Sequence, residues 1–418
     1  MSIHKKTERP GIKWQVNHLP KSDIFGSIGF LNMDAVEHAQ RFHSSFPEYR
    51  RTPLAALPAF VKRIGIGGMY VKDESYRFGL NAFKVLGGSY AIGRFIAETI
   101  GIREGELTYQ SITSPEVRAK LGSFAFFTAT DGNHGRGVAW AAKTLRQKAV
   151  VYMPAGSSSA RLRAILNEGA DASITDLNYD DAVRLAASRC SETPNSVVVQ
   201  DTAWEGYTDI PTWIMQGYGT MALEAQSQLE ELGAAPPTHV FVQAGVGSMA
   251  ASVQGFFATA YKENPPAVIV VESNMADCFY KSAVAGDGKP RVVGGDMQTL
   301  MAGLACGEPN ILAFEALRNH CAAFVSCPDW VAVKGMRILG NPMPGDTRVL
   351  SGESGAVTIG LVYEIMTNDD CRALRQALGL GPSSRVLCFS TEGDTDPDKY
   401  LEVVWDGVDD SVWLRSGE

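Results

Sequence analysis

From Phe124 to Gln200 short apolar runs alternate with amphipathic stretches, and this alternation restricts the fold more than any other feature of the chain. Phe124–Thr128, Ala149–Met153, Ala172–Thr175 and Ser196–Gln200 have strand length and composition, while the segments ending at Leu145, Asn167 and Cys190 carry a helical period. A parallel neighbour is reached only through a crossover, and strand–helix units of about 25 residues supply one. The pattern predicts an α/β fold of parallel sheets with helices on both faces. It returns at His239–Gln243, in the helix after Gly245, at Ala267–Glu272 and in a late strand, Arg385–Phe389. A strand from Met69 and helices over 35–42, 88–98 and 211–232 complete the expectation, with 103–121 and 294–309 as loops. Ligands in such sheets bind beyond the carboxyl ends of strands, where Thr130, Asp131, Asn133 and Asp201 fall.

Charge and composition narrow the partners. A net charge of −8 with no long basic run argues against a nucleic-acid groove or an anionic membrane surface. No apolar run reaches the roughly 20 residues of a membrane span, and the N-terminal segment with Lys5, Lys6, Glu8 and Arg9 has no apolar core behind it. The expectation is a cytoplasmic protein. Seven scattered cysteines without a CxxC pair point to reduced thiols, although Cys278 and Cys306 could meet in space. The histidine spacing indicates no metal site.

Chemistry is suggested at four places. Lys84, in SYRFGLNAFKVLGGS, stands at a loop-to-helix junction, where a desolvated amine can attack a carbonyl. The strand–turn–helix segment Gly245, Val246, Gly247, Ser248, Met249 and Ala250 has two readings. Its amides can hold a phosphate, or it matches the dinucleotide fingerprint GxGxxA with Glu272 as the ribose acid. The latter would make the chain an NAD-dependent dehydrogenase. The turn Thr130, Asp131, Gly132, Asn133 and His134 is either a carboxylate cradle or a plain polar connection. Ser390 and Thr391 offer hydroxyls at the end of the late strand.

The order of Lys84, Asn133, the glycine turn 245–249 and Ser390 resembles the fold type II pyridoxal-phosphate enzymes, the tryptophan synthase β-chain class, over about residues 50–400. The strings KDESYRFGLNAFKVLGGSYA, TATDGNHGRGVAWAA, QDTAWEGYTDIPTWIMQGY and STEGDTD are similar to the diaminopropionate ammonia-lyase family. The class usually has a small hydroxyl residue two before the lysine, where this chain has Ala82. It usually has a small residue in the anion turn, where this chain has Asp131.

The resemblance implies two parallel-sheet α/β domains with pyridoxal 5'-phosphate between them: a larger cofactor-binding domain of 1–88 and 205–418, and a smaller substrate-binding domain of 89–204. It implies that Lys84 forms the Schiff base, Asn133 meets the cofactor's phenolic oxygen, residues 245–249 hold its phosphate, and Ser390 or Thr391 meets the pyridine nitrogen. It implies a homodimer acting on an amino acid, 2,3-diaminopropionate, with pyruvate and ammonia as products. Thr130, Asp131, Gly132 and His134 would bind the substrate, with Asp131 and Asp201 as acid–base groups beside Lys84. A serine/threonine dehydratase is the alternative within the class.

Overall fold

The computed structural model describes residues 10–408; the charged N-terminal residues Lys5, Lys6, Glu8 and Arg9 lie outside the described residues. The strands are β1 (Lys13–Val16), β2 (Leu54–Ala56), β3 (Gly68–Asp73), β4 (Ala125–Ala129), β5 (Lys148–Met153), β6 (Asp171–Ile174), β7 (Ser196–Val198), β8 (His239–Gln243), β9 (Ala267–Ser273), β10 (Ala323–Cys327) and β11 (Arg385–Ser390). They form two sheets, ordered β1-β10-β9-β8-β11-β3-β2 and β6-β5-β4-β7. The four-stranded sheet is parallel throughout, as the alternation predicts. The seven-stranded sheet departs from the expectation at its edges, where β1 and β2 run antiparallel to β10 and β3. Strands β8, β10 and most of β9 are buried on both faces, so they read as unbroken apolar runs rather than as alternations.

The segment 103–121, expected as loop, instead forms a 3₁₀ turn (Glu104–Glu106) and two short helices, Tyr109–Ile112 and Pro115–Leu121. Thr108 and Ser114 cap the helices by accepting the N–H groups of Ser111 and Val117, and Pro115 opens the second. Helices of one or two turns are too short to show a period in sequence.

Two devices hold the lysine stretch. Helix Val85–Ile100, which begins at Lys84, crosses helices Asn133–Thr144 and Asp209–Glu231 with backbones nearly touching. A Cβ on Gly217 would lie 2.5 Å from the Leu86 oxygen, and one on Gly137 would lie 2.8 Å from Val85 Cα. Only glycine permits that approach. The preceding loop rests on a buried charge network: Lys72 Nζ meets Glu224 Oε2 at 2.6 Å, Arg77 Nη1 meets Glu224 Oε1 at 2.8 Å and Arg77 Nε meets Glu74 Oε2 at 2.8 Å. With every charge paired, the desolvation cost is offset by several hydrogen bonds at once. The loop is also joined to the late STEGDTD segment, since Phe83 N donates to Thr391 O at 3.1 Å and Ala82 bridges Glu392.

Candidate active site

Lys84 lies in a cleft of about 540 Å³, walled by Asn133, Asp201, the turn Gly245–Met249, Ser354, Thr391 and Glu392. Its Nζ donates to Asp201 Oδ2 at 2.5 Å. Burial works against the Lys84 ammonium, but the Asp201 carboxylate outweighs it and holds the amine well above the ordinary lysine range. Burial likewise opposes the Asp201 charge, and Lys84 overcomes it, so that carboxyl stays ionised well below the usual range. Before a carbonyl compound arrives, the desolvated amine of Lys84 is therefore one half of an ion pair. Tyr179 OH and Gln200 Nε2 donate to Asp201 Oδ1 at 3.3 and 3.4 Å and fix the carboxylate from behind.

The turn Thr130–His134 is divided among partners. Thr130 Oγ1 accepts the Gly132 N–H at 2.9 Å, closing the turn on itself. Asp131 Oδ2 pairs with Arg161 Nη1 at 3.0 Å. Gly132 is at φ +154°, and a Cβ there would meet Arg161 Cδ at 2.9 Å. His134 Nε2 donates to the Val199 carbonyl at 2.8 Å, and burial pushes its pKa down, leaving Nδ1 as a bare acceptor 3.9 Å from Asp201 Oδ2. Of these five residues Asn133 lines the cleft, with its amide donating to Glu392 Oε2 at 2.5 Å.

The residues of the cleft fit pyridoxal phosphate on two counts. Helix Ser248–Tyr261 opens at Gly247 with no side chain capping it, so its first N–H groups and its dipole are offered to an anion at the cleft wall. Ser248 Oγ is committed to the Asp201 carbonyl, and the Gly245–Met249 backbone is what remains for a phosphate. The second count is the paired amine of Lys84 in the same cleft wall as this turn. Thr391 lines the cleft, whereas Ser390 is buried with its Oγ 3.5 Å from the Glu392 carbonyl. Glu272 is committed elsewhere: its carboxylate accepts the Phe279 and Tyr280 N–H groups at 2.8 and 2.7 Å, so it caps a helix, and it is fully buried and not part of the cleft wall. The dehydrogenase reading falls with it. Cys278 and Cys306 are buried free thiols.

The pyridoxal-phosphate dependent enzyme family matches residues 46–391. Diaminopropionate ammonia-lyase of Salmonella typhimurium is 51% identical over 398 residues, covering 95% of this chain and 98% of that protein. The chain belongs to the diaminopropionate ammonia-lyase family. The Escherichia coli family member crystallised with an aminoacrylate–PLP azomethine reaction intermediate superposes with a TM-score of 0.85 at 46% identity, covering 95% of this chain and 97% of that one. Its complex with D-serine gives 0.86 at the same identity and coverage. As a member of the ammonia-lyase family, the chain has the fold type II architecture, takes pyridoxal phosphate as its cofactor and is a carbon–nitrogen lyase.

Several residues in the cleft wall or bonded to it were not visible from sequence. Arg161 is buried and joins Asp131, Glu353 and, at 3.9 Å, Glu392. Ser354, Tyr218 and Gln243 also wall the cleft. The one signal available was position: Glu353 and Ser354 lie in the helix-opening turn SGESG, and Glu392 lies inside STEGDTD.

Proposed function

We propose that this chain catalyses α,β-elimination of 2,3-diaminopropionate, D or L, in which substrate and water give pyruvate and two ammonia. The observation that carries this is Lys84 paired to Asp201 across from an uncapped helix N-terminus, in a chain half identical to a diaminopropionate ammonia-lyase. Pyridoxal phosphate, when bound, supplies an electron sink for negative charge at the substrate Cα. Lys84 would be its covalent anchor, the 245–249 amides would take its phosphate, Asn133 would reach its phenolic oxygen and Thr391 or Ser390 its pyridine nitrogen.

Asp201, 2.5 Å from Lys84 Nζ, exchanges a proton with that amine. The amine then serves as base for the α-proton of one enantiomer, and Asp131, now held by Arg161, serves on the opposite face. The Thr130–His134 turn orients the substrate carboxylate through its backbone. Residues 1–88 and 205–418 act as the cofactor-binding domain and 89–204 as the substrate-binding domain, a division supported by the two separate sheets. We place the protein in the cytoplasm as a homodimer. Seven buried thiols suit a reducing compartment.

Pyruvate release from both enantiomers tests the activity. Borohydride should fix the cofactor on Lys84, and Lys84→Ala should abolish that labelling and lower turnover by about a thousandfold or more. Asp131→Asn should depress the two enantiomers unequally. No pyruvate from either enantiomer would overturn the activity, and equal depression would overturn the division between bases.

A further inference from the structure

Four charged side chains meet where STEGDTD crosses the cleft. Arg161 Nη1 is 3.0 Å from Asp131 Oδ2; its Nη2 is 2.9 Å from Glu353 Oε1 and 3.9 Å from Glu392 Oε2. Three carboxylates share one guanidinium, so negative charge is in excess. Asp396 and Lys399 add one charge of each sign from farther out and leave the excess in place. Burial, followed by the charge of Glu392, raises the Glu353 carboxyl, as expected where carboxylates outnumber cations.

The excess has a definite outlet. Glu392 Oε2 is occupied, accepting from Asn133 Nδ2 at 2.5 Å and from Thr395 Oγ1 at 3.2 Å. Glu392 Oε1 is buried with no hydrogen-bond partner among the described residues, on a side chain 2% exposed that lines the cleft with Lys84. Ser354 Oγ, in the same wall, is buried and likewise unpartnered. A buried carboxylate oxygen without a donor is costly; any hydrogen-bond donor relieves it, and a charged N–H donor does so most strongly. Both aspartates singled out by sequence already face a cation of the protein, Asp201 facing Lys84 and Asp131 facing Arg161, so neither is the open partner for a second substrate cation.

We propose that Glu392 selects a 2,3-diamino acid over a 2-amino-3-hydroxy acid, its Oε2 fixing the Asn133 amide while its Oε1 receives the substrate's β-ammonium. The inference rests on the activity proposed above and names the group that recognises its substrate. Held as –NH3+, the β-nitrogen already carries the proton it needs. When the Cβ–N bond breaks, the electron pair goes to nitrogen and neutral ammonia departs. The ion pair with Glu392 vanishes in that step, so the recognition energy does not retain the product. A β-hydroxyl offers Oε1 only a neutral donor.

The test uses holoenzyme and two ligands that lack an α-proton and so are not consumed, α-methyl-2,3-diaminopropionate and α-methylserine, with dissociation constants from calorimetry. The wild-type protein should favour the diamine by about tenfold or more. Glu392→Gln should bring the two within about threefold of each other, while Glu392→Asp, which keeps the charge, should retain the preference. Undiminished preference in Glu392→Gln, or equal loss in Glu392→Asp, overturns the proposal. A wild-type protein that releases no pyruvate from diaminopropionate overturns the activity instead, a different reading from the same preparation.

Discussion

Gly247→Ala separates the role of the glycine turn from that of a mere bend. Gly247 sits at φ +94°, and a Cβ there would stand 2.4 Å from Phe279 Cζ and 3.2 Å from the Ala313 Cβ. The backbone strain of an L-residue in the left-handed region is about 1–2 kcal/mol. Phe279 is not free to give way, because its ring stacks on Phe314 and Phe324 at centroid distances of 6.2 and 6.3 Å. Overpacking such a site adds about 1–3 kcal/mol. The total of roughly 2–5 kcal/mol must appear either as lost stability or as a displaced turn. If the turn moves, its amides leave the phosphate, and cofactor affinity falls between about thirtyfold and several thousandfold. Titration of cofactor-free protein with pyridoxal phosphate, alongside its thermal midpoint, measures both. Gly233→Ala is the control: Gly233 has φ +64° with nothing within 4 Å of a Cβ, so it should lose only the strain energy and keep its affinity. A Gly247→Ala protein that binds cofactor like the wild type and melts at the same temperature would refute the assignment.

His43 is buried, with Nε2 donating to the Leu86 carbonyl at 2.9 Å and Nδ1 accepting from Thr220 Oγ1 at 2.8 Å; burial, then the charge of Arg77, lowers its pKa to about 3. The unfolded chain binds the proton first, so His43 contributes stability above about pH 6.5 and loses it as pH falls toward 3, by up to about 1.4 kcal/mol per pH unit. Thermal midpoints recorded across pH 4–7 should flatten in His43→Gln, and an unchanged slope would count against a neutral native imidazole. Glu224→Gln strips Lys72 and Arg77 of a shared partner in a fully buried network, which should cost about 3–5 kcal/mol. The expected fall in thermal midpoint for a chain of this length is roughly 3–6 °C, and a shift under about 1 °C would show the network to be dispensable.

The sequence was most informative where local chemistry repeats. The four strands expected between 124 and 200 appear as β4 to β7, offset by no more than two residues at either end, because each apolar run there is bounded by turn residues and followed by a helical period. β10 escaped notice because Ala323–Cys327 is five residues buried on both faces, with no alternation, and β1 because Lys13–Val16 gains its identity only by pairing with β10. The glycine turn and Lys84 were legible because a strand, a turn and a helix start are local signals. Arg161 was not. Its helix looks like an ordinary surface helix, and its partner Glu353 lies 192 residues away. The bond between Asn133 and Glu392 spans 259 residues, and nothing near either residue announces it.

The strand order carries a consequence for how the chain is made. β11, the last strand among the described residues to leave the ribosome, inserts between β8 and β3 inside the seven-stranded sheet rather than at its rim. The four-stranded sheet has all its strands once Val198 has emerged, whereas the larger one retains an internal gap between β8 and β3 until Ser390 follows. Translation halted shortly before Arg385 would therefore yield a four-stranded and a two-stranded part with unpaired inner edges at β8 and β3, open to strand addition by other nascent chains. Such a fragment would also lack Thr391 and Glu392, so the elimination site forms only after the core of the larger sheet has closed.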